Sequence, residues 1–457
     1  MTSATQFNNV QADRTDLHSP SVNDTDTQTE GNEPHPEKRD VEAAPGSKPS
    51  PGGWGSDAPD GGTWAWLCVL GAFCTSICSF GWLNTGVGVF QQYYEAGPLR
   101  NYSSSNIAWI PSLQIFFMMA MGPIVGKSYD RYGPRYIVLI GTFLHVFGLM
   151  MASISKEYYQ FMLSQGVCSA IGVAAIFQPG INCINTWFNR KRGAAFGMVA
   201  AGSSLGGVIF PIMLSRMIEQ IGYGWAMRVC AFLILGLLIV ANLTITSRLP
   251  PHPTQLTSEQ MMQPFRERGF LFLMGGMFFL TFGIFIPVTY IQVEAFQDGM
   301  DPNLVQYLVA ILNAGSLFGR LLSGWASDKI GKYNTFLMAC TATGIFILAL
   351  WIPGRSSATT VAFAAVFGFT SGAYVSLIGA LVAAISPLRE IGFRTGLVFL
   401  VNSLPGLTTS PIAGAILDNT GSWVGLKVFA GVLCLTGTTF ILMTRITHAG
   451  LNPTVIF

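Results

Sequence analysis

Charge is what this sequence has least of. Asp, Glu, Lys and Arg together make up 11% of its 457 residues, where a soluble chain carries about a quarter. The scarcity is uneven. The first 60 residues hold 11 acidic and 4 basic side chains, which leaves 12 acidic and 21 basic ones for the other 397. So few charges cannot cover the water-facing surface of a body that size, and ordinary soluble domains are excluded. Histidine is also scarce, five residues in all, at spacings that fit no metal site. No phosphate loop, dinucleotide fingerprint or nucleophile elbow stands in a suitable context. The sequence therefore predicts no enzyme, cofactor, metal or nucleic-acid partner. Cys68, Cys74, Cys78, Cys168, Cys183, Cys230, Cys340 and Cys434 all fall in apolar stretches, which argues against a disulfide framework.

Long apolar runs take the place of the missing charge. Residues 1 to 60 are rich in Asn, Thr, Asp, Glu, Pro and Gly, too poor in apolar surface to offset the entropy of ordering, and they read as a disordered tail. Twelve apolar runs follow, at about 63 to 92, 106 to 126, 136 to 154, 159 to 182, 194 to 215, 228 to 247, 270 to 293, 304 to 325, 334 to 352, 359 to 384, 395 to 416 and 427 to 444. A helix crosses a bilayer core in roughly 20 such residues. The expected fold is all-α and integral to the membrane, with twelve transmembrane helices and the lipid bilayer as a partner.

The basic residues suggest an orientation. With a cytosolic N-terminus, the cytosolic loops and the C-terminal tail collect Lys127, Arg131, Arg135, Arg190, Lys191, Arg192, Arg248, Arg266, Arg268, Lys329, Lys332, Arg389, Arg394 and Arg445. The other side holds Arg100, Lys156, Arg216, Arg228, Arg355 and Lys427. That bias places both termini in the cytosol. The sequon at Asn101 in the first exterior loop is then a candidate glycosylation site.

Two loops repeat. Gly126, Asp130, Arg131 and Gly133, followed by Arg135, share the pattern GxxxD(R/K)xG with Gly324, Asp328, Lys329 and Gly331. Further matches in register are Arg190, Gly193 and Gly197 with Arg389, Gly392 and Gly396, and Ser204, Leu205 and Gly207 with Ser403, Leu404 and Gly406. A duplication of six spans follows, with two six-helix bundles related by a parallel repeat. The expected divisions are 61–247 for the first bundle, 248–269 for a cytosolic hinge loop, 270–445 for the second bundle and 446–457 for a cytosolic tail. Glycine at a helix end lets a neighbouring helix approach closely. The aspartate can accept from a helix N-terminus or a nearby Arg. Gly126, Asp130, Arg131, Gly133, Arg135, Asp328 and Lys329 are therefore candidate elements of a conformational gate.

The duplicated loop and the six-plus-six layout resemble the major facilitator superfamily. Within it, Asp60-Gly61-Gly62-Thr63-Trp64-Ala65-Trp66 entering span 1, and Trp187-Phe188-Asn189-Arg190-Lys191-Arg192-Gly193 entering span 5, resemble the paired signatures of the monocarboxylate porter family. The insertion at Thr63 and the long acidic tail resemble fungal members. The resemblance implies a lysine where Asn84 stands and an acid where Ser316 stands, four residues before a matching Arg320. Of that charged set only the arginine remains, and a carboxylate-plus-lysine proton relay of that type is in doubt.

Arg320 is the only charge well inside an expected span, so it is read as facing a cavity or partner; snorkelling to the interface is the competing reading. Asn84, Ser316 and Asn313 complete the candidate substrate-binding set. His145, the only histidine inside a span, is a candidate proton relay, weighed against plain packing. The amides Gln114, Gln178, Asn182, Asn185 and Asn402 could line a cavity or bond between helices. The functional expectation is a secondary active transporter that moves a small organic molecule, an organic anion or monocarboxylate-like metabolite, by alternating access, with protons as the candidate coupling ion. The alternatives are an efflux pump for a fungal secondary metabolite and, in another class, a non-transporting nutrient sensor. The plasma membrane is the expected location, with a vacuolar or other endomembrane as the alternative.

Overall fold

The structure, a computed structural model, describes residues 58–83, 86–250, 257–354, 356–452, 455 and 457. Nearly all of the tail read as disordered, and Asn84, lie outside them. Among the described residues every regular element is a helix, as an apolar solvent demands: hydrocarbon offers the backbone no hydrogen-bond partner, so each segment satisfies its own.

Twelve helices among the described residues are long and apolar enough to cross a membrane. In order they are Thr63–Gly81, Ser105–Tyr132, Pro134–Ile154, Tyr158–Trp187, Arg192–Ile221, Tyr223–Thr244, Arg268–Gln297, Pro302–Ile330, Lys332–Trp351, Ser357–Ala384, Leu388–Thr420 and Trp423–Ala449, here spans 1 to 12. The fold is that of two six-helix bundles. Spans 3 and 6 pack in the first half and spans 7 and 12 in the second, while span 2 meets span 11 and span 5 meets span 8 across the middle. Large apolar side chains such as Tyr136, Phe143, Leu243 and Phe318 stand exposed on the outer faces, where lipid would meet them.

The duplicated loops are unusually tight. Span 2 ends at Tyr132 and span 3 begins at Pro134; span 8 ends at Ile330 and span 9 begins at Lys332. The one residue between each pair is a glycine with positive φ, 76° at Gly133 and 100° at Gly331. A side chain is strained there, which is why the loop pattern closes on glycine.

Several helices, spans 2, 4, 5, 7, 8, 11 and 12, run past the ends expected from hydropathy, while span 1 stops at Gly81, short of the expected 92; the extra turns change the picture of charge. Arg320 is not the only charge inside a helix. Arg394 is buried in span 11, where it takes Glu267 at both guanidinium nitrogens, 2.6 and 2.8 Å, and Glu390 at Nε, 3.0 Å. Lys427 of span 12 is buried against Glu294 of span 7 and donates to the Trp351 carbonyl at 2.8 Å. Hydropathy counts each such residue as polar, but a paired and hydrogen-bonded charge can be buried where a single one cannot.

Removing one member of the second pair should therefore be costly. Lys427→Met leaves Glu294 buried and uncompensated, with an expected loss of about 3–5 kcal/mol. Thermal unfolding of the detergent-purified protein should show a clear drop, and Glu294→Gln added to Lys427→Met should recover most of it.

Candidate functional site

The two halves touch at the end that carries the duplicated loops. Asp130, in the last turn of span 2, accepts from the backbone N–H groups of Gly392 and Phe393 at 3.0 and 2.8 Å, which open span 11 in the other half. Asp328, in the last turn of span 8, accepts from Gly193 and Ala194 at 2.7 and 2.8 Å, which open span 5. Each carboxylate thus supplies partners to a helix N-terminus whose first N–H groups have none of their own, and its charge complements the positive end of the helix dipole. The backbones approach closely enough for this because glycine lines both sides. A methyl group built on Gly392 would lie 2.5 Å from the Gly126 carbonyl oxygen, and one on Gly193 would lie 2.6 Å from that of Gly324.

The basic members of the loops lie outside this contact. Arg131 stands 5.0 Å from the ring centroid of Tyr132, and Lys329 stands 3.9 Å from that of Trp325; both are exposed, as is Arg135. Of the two partners open to the aspartates, the structure has the helix N-terminus rather than an arginine.

Asp60, the last residue of the expected tail, is bonded to the helical body. Its Oδ1 accepts from Asn189, Arg190 and Lys191 at 2.7, 2.7 and 3.1 Å, and its N–H donates to the Trp187 carbonyl at 3.2 Å. Trp66 meets Phe188 edge to face, 5.2 Å between centroids. The two sequence signatures, some 130 residues apart, are the two sides of one contact. Glu267 holds Arg394 in the first turns of span 11 in the second half, so each clasped helix is fastened near its start by an acid that precedes another span.

Arg320 and Ser316 come together: Nε of the arginine donates to the serine Oγ at 3.0 Å. The same guanidinium reaches across to span 5, donating through Nη1 to the Ala200 carbonyl at 2.7 Å and to the Ser203 hydroxyl. Arg320 is buried, and among the described residues no carboxylate pairs with it. It does not snorkel to the interface. Asn313 is buried on the same helix and donates to the Val309 carbonyl at 3.0 Å. His145 is buried within the first half, its Nδ1 2.9 Å from the Ser169 hydroxyl of span 4. Asn101 is exposed between spans 1 and 2, and among the described residues no His, Cys, Asp or Glu cluster could hold a metal.

A polar face lies on the part of span 4 nearest the clasps. Gln178, Asn182 and Asn185 are buried, and none of their side-chain amide atoms has a hydrogen-bond partner. A methyl group on Gly122 of span 2 would lie 3.0 Å from both Nε2 of Gln178 and the Gly396 Cα of span 11. Phe177 meets Phe399 edge to face at 5.9 Å. This face of span 4 therefore looks onto the other half. The sequence named these amides but could not say which of them paired between helices.

The sequence profile of the Major Facilitator Superfamily matches residues 68–354 and 271–454. The chain is 56% identical to an MFS transporter, asaE, of Aspergillus flavus, over 91% of this chain and 93% of that one. It is also 56% identical to the Fujikurins efflux protein of Gibberella fujikuroi, over 85% of this chain and 84% of that one. Among solved structures, the E. coli fucose:proton symporter superposes with a TM-score of 0.66 at 13% identity, over 83% of this chain and 98% of that one, a likeness of fold alone. Profile, relatives and fold agree with the clasped six-plus-six architecture: the chain belongs to the major facilitator superfamily and is a multi-pass membrane transporter.

Proposed function

We propose that this transporter exports a small organic metabolite by alternating access, with the duplicated-loop end facing the cytosol and both termini there. The observation that carries the reading is the twin clasp. Two carboxylates, each at the end of one half, hold two helix N-termini of the other by hydrogen bonds that can break without unfolding either half. Such contacts suit a state that closes one end of the pathway and releases it. Export is favoured over uptake because a relative of 56% identity is named an efflux protein. The paired signatures support kinship with the monocarboxylate porters, and the plasma membrane is the matching location.

Within this reading Asp130 and Asp328 are the latches, with Gly126 and Gly324 permitting their approach and Gly133 turning the chain behind the first, and Arg320 straps span 8 to span 5. Loss of one helix cap costs about 0.5–2 kcal/mol. Asp130→Ala or Asp328→Ala should shift the equilibrium toward the open state at this end by roughly tenfold, read as faster maleimide labelling of a Thr395→Cys reporter in isolated membranes. Turnover should change while KM holds, since neither latch touches cargo; an Asp130 variant that altered only KM would contradict the assignment. Arg320→Gln should likewise alter turnover at normal membrane abundance, and unchanged transport would remove the strap.

The direct test is metabolite profiling of cells and medium after deletion and overexpression. Export predicts accumulation inside the deletion strain and loss from its medium. Depletion inside the cells would indicate uptake, and no change in any metabolite would sink the transport reading.

A further inference from the structure

We propose that the amide face of span 4 is a cargo-recognition surface, and that the cargo it takes is uncharged, carrying neighbouring hydrogen-bond donors and acceptors such as amide, lactam or hydroxy-carbonyl groups. The inference rests on the transporter reading and narrows it.

Gln178, Asn182 and Asn185 stand at i, i+4 and i+7, so they share one helix face over roughly 10 Å. All six of their amide N and O atoms are buried and without a partner. Buried polar side chains are nearly always bonded, and others in this chain are: Gln165 accepts from the Tyr94 hydroxyl at 2.6 Å, and the Thr281 and Tyr374 hydroxyls lie 2.6 Å apart. Three adjacent exceptions on one face are a different matter, because amides that served to glue helices would be bonded across them. Span 11 presents a matching set. Thr395, Phe399 and Asn402 repeat the i, i+4, i+7 spacing, Phe399 packs on Phe177, and the Thr395 hydroxyl and Asn402 Oδ1 are also buried without partners. Asn402 also donates through Nδ2 to the Tyr374 hydroxyl of span 10 at 3.3 Å, so the Thr395 hydroxyl, one turn from Phe399, is the unbonded group of span 11 nearest that seam contact.

That seam is the one the aspartate clasps hold shut. Releasing them would part span 11 from span 2 and expose both polar faces to whatever occupies the pathway. In the closed state the amides are unsatisfied; in the open state a ligand can satisfy them, which is the differential interaction a cargo needs in order to drive the change. The charge of the cargo follows from what stays engaged when the clasps open. Arg394 keeps Glu267 and Glu390, and Arg320 keeps Ser316, all within the second half; Asp130 and Asp328 sit at the ends of spans 2 and 8 rather than on the amide face. An amide offers one donor group and one acceptor, and the Phe177–Phe399 pair beside it offers an apolar edge to a flat ring.

The test uses the full chain in the organism that encodes it. Medium from the deletion strain alone and from deletion strains carrying the wild type or a Gln178→Met/Asn182→Leu variant is separated at pH 7 on an anion exchanger into neutral and anionic fractions, and both fractions are profiled. The expected result is that the compounds that depend on the transporter run in the neutral fraction, and that the double variant lowers their export at least tenfold. Its melting temperature should equal or exceed the wild-type value, because apolar replacements remove unsatisfied groups. A purely structural role for the amides would instead lower that temperature. The proposal is overturned if the dependent compounds bind the exchanger, or if the double variant exports them normally. If the wild type changes neither fraction, the transporter reading falls, and this inference with it.

Discussion

A helix that begins inside a protein leaves its first N–H groups without partners, and near a membrane there is little water to take them up. In this chain spans 5 and 11 begin where the halves meet, and the partners for their N–H groups come from the opposite half, as Asp328 and Asp130. Much else at that end follows from this requirement. A carboxylate reaches a foreign helix end only if the two backbones nearly touch, so Gly126, Gly193, Gly324 and Gly392 line the contact. The helix must stop just past the carboxylate, so Gly133 and Gly331 turn the chain within one residue.

The few charges of the body serve the same economy. Arg394 is buried against Glu390 and reaches the part-exposed Glu267, and Glu294 and Lys427 form a second buried pair. Asp60 spends one oxygen on three backbone N–H groups. Hydrogen bonds from N–H groups to an ionised acceptor are the stronger kind, and here they fasten loops and helix ends rather than decorate a surface.

The twelve spans were legible because hydropathy over a window of about 20 residues is a strong signal, and the duplication was legible because its loops keep one spacing. The ends of the spans were less so. Span 11 starts at Leu388, several residues before the apolar run, because Glu390 and Arg394 lower its hydropathy although they are paired inside the protein. Asp60 fell on the wrong side of the tail boundary for a related reason: its composition matches the tail, and its partners lie near residue 190. At the candidate site, the choice of a helix N-terminus over an arginine as the partner of Asp130 needed coordinates, since Arg131 is adjacent in sequence but turned toward Tyr132. Gln178, Asn182 and Asn185 could be named from their positions in an apolar run, but an amide's lack of a partner is a fact of three dimensions.

The one-residue connections at Gly133 and Gly331 bear on how the molecule can move. A loop of several residues would let span 2 tilt while span 3 stayed still. A single glycine leaves almost no chain between the helix ends, so the tip of span 2 cannot move away from the start of span 3 and only the angle between them can change, through two backbone rotations. The tips of spans 2 and 3 therefore travel together, as do those of spans 8 and 9. Whatever force releases the carboxylate at the tip of the first helix is passed to the start of the second, whose side chains Tyr136 and Phe143 stand exposed where lipid would meet them.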